Sequence, residues 1–140
     1  MIANSPDRKE RPRVRILIAD DNPHVRRELR TLLPLAGEIE IAGEAADGQE
    51  AVRLAQALQP QVVLMDLEMP VLDGYEAARQ IQACCPGCQV VALTVHDYEA
   101  AHRRAAEAGM NVLIVKGSPL EELVAVIVGA SADGLARSEK

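Results

Sequence analysis

Four short apolar runs punctuate the chain at residues 15–19 (RILIA), 62–65 (VVLM), 90–93 (VVAL) and 112–115 (VLIV). Runs of this length without polar alternation read as strands buried on both faces, as in a parallel sheet. A fifth, more polar run at 38–45 suits the edge of such a sheet. The stretches between the runs have a helical repeat. After Asn22-Pro23, a helix start with Pro at its first position, Val25, Leu29, Leu32 and Leu33 fall at i, i+4, i+7 and i+8. Asp47 with Glu50, and Asp73 with Glu76, have capping-box spacing and open helices reaching about 58 and 84. Ser118-Pro119-Leu120-Glu121 combines an N-cap, Pro at N1 and a capping Glu, and predicts a last helix over 120–129. That helix carries Leu120, Leu123, Val124 and Ile127 on one face. Val126 and Val128 spread apolar surface further round, as a broad core face or a self-association patch. The helix over 98–108, closed by Gly109, has mostly Ala as its apolar residue. Ala buries little surface at about 25 cal/mol per Å², so this helix is expected to be the least firmly anchored. Five strands alternating with five helices predict one α/β domain over 14–130. Residues 1–13 are expected to be a disordered tail, and 131–140 a tail or the start of a linker.

Composition narrows the core and the setting. Among 140 residues there are two Tyr and no Phe or Trp, so Val, Leu, Ile, Ala and Met must fill the interior. The net charge of −6 argues against nucleic-acid binding by this domain itself. The basic cluster Arg8, Lys9, Arg11 and Arg13 lies in the tail and reads as a solvated group. No apolar stretch approaches the ~20 residues of a membrane span. The first residues lack the apolar core of a signal peptide. A cytoplasmic location without membrane contact is therefore expected.

Cys85-Pro86-Gly87-Cys88 forms a CxxC pair beside Cys84. Redox pairs of this kind sit at helix N-termini, where the dipole favours thiolate; this one follows a helix. A zinc site needs about four ligands, and there is no second pair. The expectation is a Pro-Gly turn with incidental thiols.

The residues that end the apolar runs bring in chemistry. The run at 15–19 ends in Asp20-Asp21, that at 62–65 in Asp66, that at 90–93 in Thr94 and that at 112–115 in Lys116. One strand-end Asp is most simply a turn former or cap. In an open parallel sheet, however, ligands bind at the carboxyl ends of the strands, so three carboxylates, a hydroxyl and an ammonium would meet at one edge. Carboxylates ~5 Å apart repel by about 3 kcal/mol per pair at an effective dielectric of 20. Either one takes up a proton or a cation sits among them. Oxygen ligands favour Mg²⁺, which commonly completes its shell with phosphate oxygens. With Lys116 as a second positive charge and Thr94 as a donor, this is a site for a phosphoryl group. Asp66 is placed to accept it as an acyl phosphate.

These residues give the chain a specific resemblance. Asp20-Asp21, Asp66, Met69-Pro70 with Gly74, Thr94, and Lys116 before a capped helix resemble a response-regulator receiver domain of two-component signalling. GEAADGQEA, VVLMDLEMP and LTVHD most resemble the NarL/LuxR group. The resemblance implies a flavodoxin-like sheet of order 2-1-3-4-5 with helices on both faces. It implies that Asp66 is the phosphoacceptor, served by a sensor histidine kinase or phosphotransfer protein. Asp21 and Asp66, with the backbone carbonyl of Glu68, would bind Mg²⁺ directly, and Asp20 through water. Thr94 would close on the phosphoryl oxygens and Lys116 would pair with phosphate and Asp66. The output implied is transcription through a DNA-binding domain outside this chain, with homodimerisation possible and no true enzyme activity. Glu68 and His96, each two residues past a site residue, are placed to influence phosphoryl lifetime or to be solvated loop residues.

One departure stands out. Receivers often carry an aromatic switch three residues before the Lys, where this chain has Leu113. It alone speaks for the alternative of a phosphorylation-independent interaction module, since such proteins usually have a damaged acidic site and this one is intact. A phosphatase of the haloacid-dehalogenase type would need a second acid two residues after the nucleophile; here Glu68 stands where its signature has Asp.

Overall fold

The computed structural model describes residues 13–138, with side chains through residue 132. Five strands and five helices alternate: β1 (Val14–Ala19), α1 (Pro23–Ala36), β2 (Ile39–Ala45), α2 (Gly48–Leu58), β3 (Val62–Asp66), α3 (Gly74–Cys84), β4 (Gln89–Thr94), α4 (Glu99–Glu107), β5 (Leu113–Val115) and α5 (Leu120–Ser138). All strand pairs are parallel and the order is β2-β1-β3-β4-β5. This is the doubly wound, flavodoxin-like arrangement, with the polar strand at an edge as its composition requires.

Period-two alternation along the strands builds two cores. Ile16 and Ile18 of β1, Val62 and Leu64 of β3, and Val91 and Leu93 of β4 pack with Leu29 and Leu33 of α1 and Leu123 and Ile127 of α5. The intervening Leu17, Val63, Met65, Val90 and Ala92 pack with Ala51 and Ala55 of α2, Ala78 and Ile81 of α3, and Ala105 of α4. Helices α1 and α5 therefore cover one face and α2, α3 and α4 the other. Small residues dominate the second face, which lets its helices lie close to the sheet.

Local signals position most boundaries. The Asn22 side chain accepts the His24 N–H at 2.9 Å, with Pro23 next. Asp47 and Asp73 accept from the N–H groups of Glu50 and Glu76 at 2.8 and 2.9 Å. Only one residue of α4, Ala105, is buried, in keeping with its weak anchoring.

Three expectations need correction. Ser118 does not act as the α5 cap: its hydroxyl donates back to Val115 O at 2.7 Å, and Pro119 O receives the Leu123 N–H. Nor does α5 stop near Gly129; it runs to Ser138. Gly129 is not among the positive-φ glycines, and without that left-handed turn a glycine only weakens a helix. Ala130 continues the buried stripe of Leu123 and Ile127, and Ser131 Oγ lies 3.4 Å from Gln61 Nε2. Residues 131–138 are thus helical. Cys85 and Cys88 are not incidental thiols but a disulfide: the Pro-Gly turn holds their Cα atoms 5.5 Å apart, well inside bridging range. The expected tail at 1–12 and residues 139–140 lie outside the described residues.

Candidate functional site

Strand register assembles the acidic edge. Ala19 stands opposite Met65, so the next residue on each strand, Asp20 and Asp66, face one another at the carboxyl end of the sheet. Asp66 is in turn opposite Leu93 on β4, and Thr94 opposite Val115 on β5. The residues after β1 and β5 therefore converge on the end of β3 from both sides.

The side chains meet. Carboxylate oxygens of Asp20, Asp21 and Asp66 all lie within 4.8 Å of one another. Lys116 Nζ is 2.8 Å from Asp20 Oδ2 and 3.3 Å from Asp66 Oδ2. Asp20 is 0% and Asp66 3% exposed, whereas Asp21 is open to solvent. The other oxygen of each buried carboxylate accepts from a backbone donor: Asp20 Oδ1 from Asn22 N–H at 2.9 Å and Asp66 Oδ1 from Glu68 N–H at 3.1 Å. The Arg26 guanidinium donates to Asp20 O at 2.6 Å while also pairing with Glu44. Its link to the acidic edge needs the α1–β1 packing and left no local signal.

One ammonium among three carboxylates leaves an excess of negative charge, and the electrostatics register it. Burial raises the Asp66 carboxyl to about 6, with Asp20 adding to the rise; the Glu68 N–H and Lys116 pull the other way. Burial pulls Lys116 down, but Asp20 and Asp66 outweigh it and hold its ammonium above the ordinary lysine value. The donor set is all oxygen, partly buried and open on the Asp21 side, which fits a hard divalent cation.

Thr94 stands one strand away, 2% exposed, with Oγ1 accepting the His96 N–H at 3.0 Å and its carbonyl accepting the Lys116 N–H at 2.7 Å. Its hydroxyl is thus engaged by its own loop rather than by the carboxylates. Glu68 contributes its amide to Asp66, and its side chain reaches the other way. Glu68 Oε1 meets His96 Nε2 at 3.2 Å, and the His96 ring stacks on Tyr98 with centroids 5.3 Å apart. The two loop residues singled out for their spacing are therefore partners linking the β3–α3 and β4–α4 loops. Leu113, in the place of the usual aromatic switch, packs half-buried against the core.

Beneath Asp66 the chain turns back tightly. Gly74 N–H donates to Leu67 O at 3.2 Å. A Cβ on Gly74 would lie 2.3 Å from Asp66 O, and one on Gly48 1.9 Å from Leu72 O. Both glycines are required by close backbone approach.

Comparison with known proteins places this geometry. The sequence pattern of the response regulator receiver domain matches residues 16–128. The chain belongs to the response regulator receiver domain family. The receiver is 34% identical over 119 residues to the transcriptional regulatory protein YxjL of Bacillus subtilis, covering 85% of this chain and 55% of that one. It is 36% identical over 114 residues to DesR of the same organism, covering 81% and 56%. It thus spans little more than half the length of these relatives. Among solved structures, the receiver domain of NarL from Mycobacterium tuberculosis superposes with a TM-score of 0.82 at 30% identity, over 87% of this chain and 98% of that one. A LuxR-family DNA-binding response regulator from Staphylococcus aureus gives 0.79 at 26% identity, over 84% and 98%. Receivers of response regulators act as phosphoacceptors rather than free-standing catalysts, and the acidic cluster here is one that could hold a metal. Among the described residues, no helix is long and apolar enough to cross a membrane.

Proposed function

We propose that this receiver takes a phosphoryl group on Asp66 from the phosphohistidine of a sensor histidine kinase or phosphotransfer protein. The observation that carries the reading is the Lys116 ammonium shared between buried Asp20 and Asp66, with Asp21 in reach of both. An Asp66 oxygen attacks phosphorus, and the P–N bond breaks with its electron pair left on the imidazole nitrogen. A carboxyl raised to about 6 is about nine-tenths ionised at pH 7 and more basic than an ordinary aspartate.

Mg²⁺ suits the donors Asp20, Asp21, Asp66 and the Glu68 carbonyl; when bound it neutralises the carboxylates and orients the incoming phosphoryl oxygens. Lys116 pairs with the phosphoryl group once it sits on Asp66. Thr94, whose oxygen accepts from the His96 N–H, keeps its O–H to donate to a phosphoryl oxygen, and that inward pull carries the β4–α4 loop with it. The new group adds about −1.5 to −2 charges. Because α4 is held by one buried alanine, that movement shifts α4 more readily than any other helix. The proposed setting is the cytoplasm, and the proposed output is transcription through a DNA-binding domain outside this chain, in line with the regulators it resembles.

Intact mass after incubation with Mg²⁺ and a small acyl-phosphate donor tests the acceptor. Wild type should gain one phosphoryl mass, Asp66→Asn none, and a chelator should abolish the gain. Equal modification of the variant would move the acceptor elsewhere. No modification of either would leave the domain as an interaction module.

A further inference from the structure

A cluster of three cysteines lies at the opposite, amino-terminal edge of the sheet. Cys85 and Cys88 are joined as a disulfide and each is 1% exposed, while Cys84 is a free, partly buried thiol. The pair closes the α3–β4 connection. Cys85 N–H donates to Ile81 O at 2.7 Å to end α3, and Cys88 N–H donates to Cys85 O at 2.9 Å to complete the turn. Cys88 Sγ rests 2.9 Å from Pro60 O, and the next residue, Gln89, begins β4.

Two features separate this bond from a structural staple. The ring it closes has a sequence separation of only 3, so it removes little freedom from the unfolded chain. The helix end and turn that hold the two sulfurs are closed by backbone hydrogen bonds, which do not depend on the S–S bond. The same frame can hold two thiols, and Pro60 O then stands ready to accept from a Cys88 S–H. In the cytoplasmic setting proposed above, the disulfides that form are mostly transient ones; the inference otherwise owes nothing to the phosphorylation reading.

We propose that Cys85 and Cys88 form a reversible redox site, closed and opened by exchange with a low-molecular-weight thiol and its disulfide. In opening, the α3–β4 turn parts enough to uncover the buried pair, and the small thiolate attacks one of its sulfurs. The S–S bond breaks, and the departing cysteine sulfur takes up a proton. A second small thiol then attacks the mixed disulfide, freeing the other cysteine and leaving a small-molecule disulfide. Two electrons and two protons pass to the protein as two small thiols are oxidised.

The full chain is equilibrated across a series of reduced-to-oxidised glutathione ratios, approached from both ends, then quenched, alkylated with N-ethylmaleimide under denaturing conditions and weighed intact. The expected result is three labels at reducing ratios and one at oxidising ratios. The same midpoint should be reached from either side, and Cys84 should be labelled throughout. Melting temperatures of the two forms should differ by less than about 10 °C, the most a ring this short can contribute. Cys85→Ser should carry two labels at every ratio that leaves wild type with one. Three labels at every ratio would overturn the proposal, since no bond then forms. So would one label that persists until the protein is unfolded, since the bond is then a staple. A glutathione adduct as the oxidised end point would overturn it too.

Discussion

Asp66 is the residue whose surroundings are most at odds with its charge. Its carboxyl is raised to about 6 by burial first and by Asp20 next, against about 3.9 in an unfolded chain. Between about pH 4 and 6 the native state therefore holds more protons than the unfolded one, and stability falls as pH rises through that window. The favourable contribution is complete below the unfolded value and gone by neutral pH. Asp66→Asn removes the penalty. In chelator at pH 7 it should stabilise the fold by about 1–3 kcal/mol, with a flatter dependence between pH 4 and 6, read by urea unfolding across that range. A variant less stable than wild type at pH 7 would show that Lys116 holds the charge of Asp66 more effectively than burial opposes it. Lys116→Met works in the opposite direction. It strands Asp20, fully buried, without a counter-charge, and should cost about 3 kcal/mol at pH 7 in the same measurement.

Among the elements, the weakest and the tightest both border the site. Helix α4 buries one alanine and is tied to α3 by the Arg104 guanidinium, 3.9 Å above the Tyr75 ring. A partly exposed pair of that kind contributes about 0.5–1 kcal/mol. Its amides should exchange with solvent faster than those of α1, α2 and α3, and Arg104→Ala should speed α4 alone; hydrogen exchange read by mass spectrometry checks both. At the tight extreme, Gly74→Ala forces a methyl against Asp66 O. It should cost about 1–3 kcal/mol in urea unfolding and lower phosphoryl gain from a small donor by displacing the end of β3.

What the sequence made legible follows from range. The strands and the caps at Asn22, Asp47 and Asp73 rest on neighbouring residues, and these stand where periodicity and spacing put them. The convergence of Asp20, Asp66 and Lys116 was readable because parallel strands must end at one edge. Features set by three-dimensional approach were not. The Cys85–Cys88 bond depends on the shape of one turn, the Arg26 contact on how α1 lies over β1, and the Glu68–His96 pair on two loops meeting. Gly129 misled because the buried Ala130 carries the helix past it, and Ser118 because its hydroxyl is taken by Val115 O.

For the whole molecule, the acidic edge couples the stability of the fold to a cation. Asp20 and Asp21 follow β1 while Asp66 ends β3, so the donor set exists only when the sheet is assembled, and an ion that binds it stabilises the native state by mass action. At 100 times its dissociation constant, Mg²⁺ should add about 2.7 kcal/mol. Protons compete for the same oxygens at Asp66, whose carboxyl is raised to about 6, so this gain should fall to about half at pH 5 and be full by pH 7.5. The metal-free protein has the opposite slope, because without a cation the ionised Asp66 is a burden that grows over the same interval. Thermal unfolding with and without Mg²⁺ at matched ionic strength should therefore show two curves that draw together in acid and separate toward neutrality. Asp66→Asn and Asp21→Asn should each pull them back together. A Mg²⁺ effect of equal size at pH 5 and 7.5, or one reproduced by sodium chloride of the same ionic strength, would mean that the carboxylates are responding to general screening and that the edge is not a binding site.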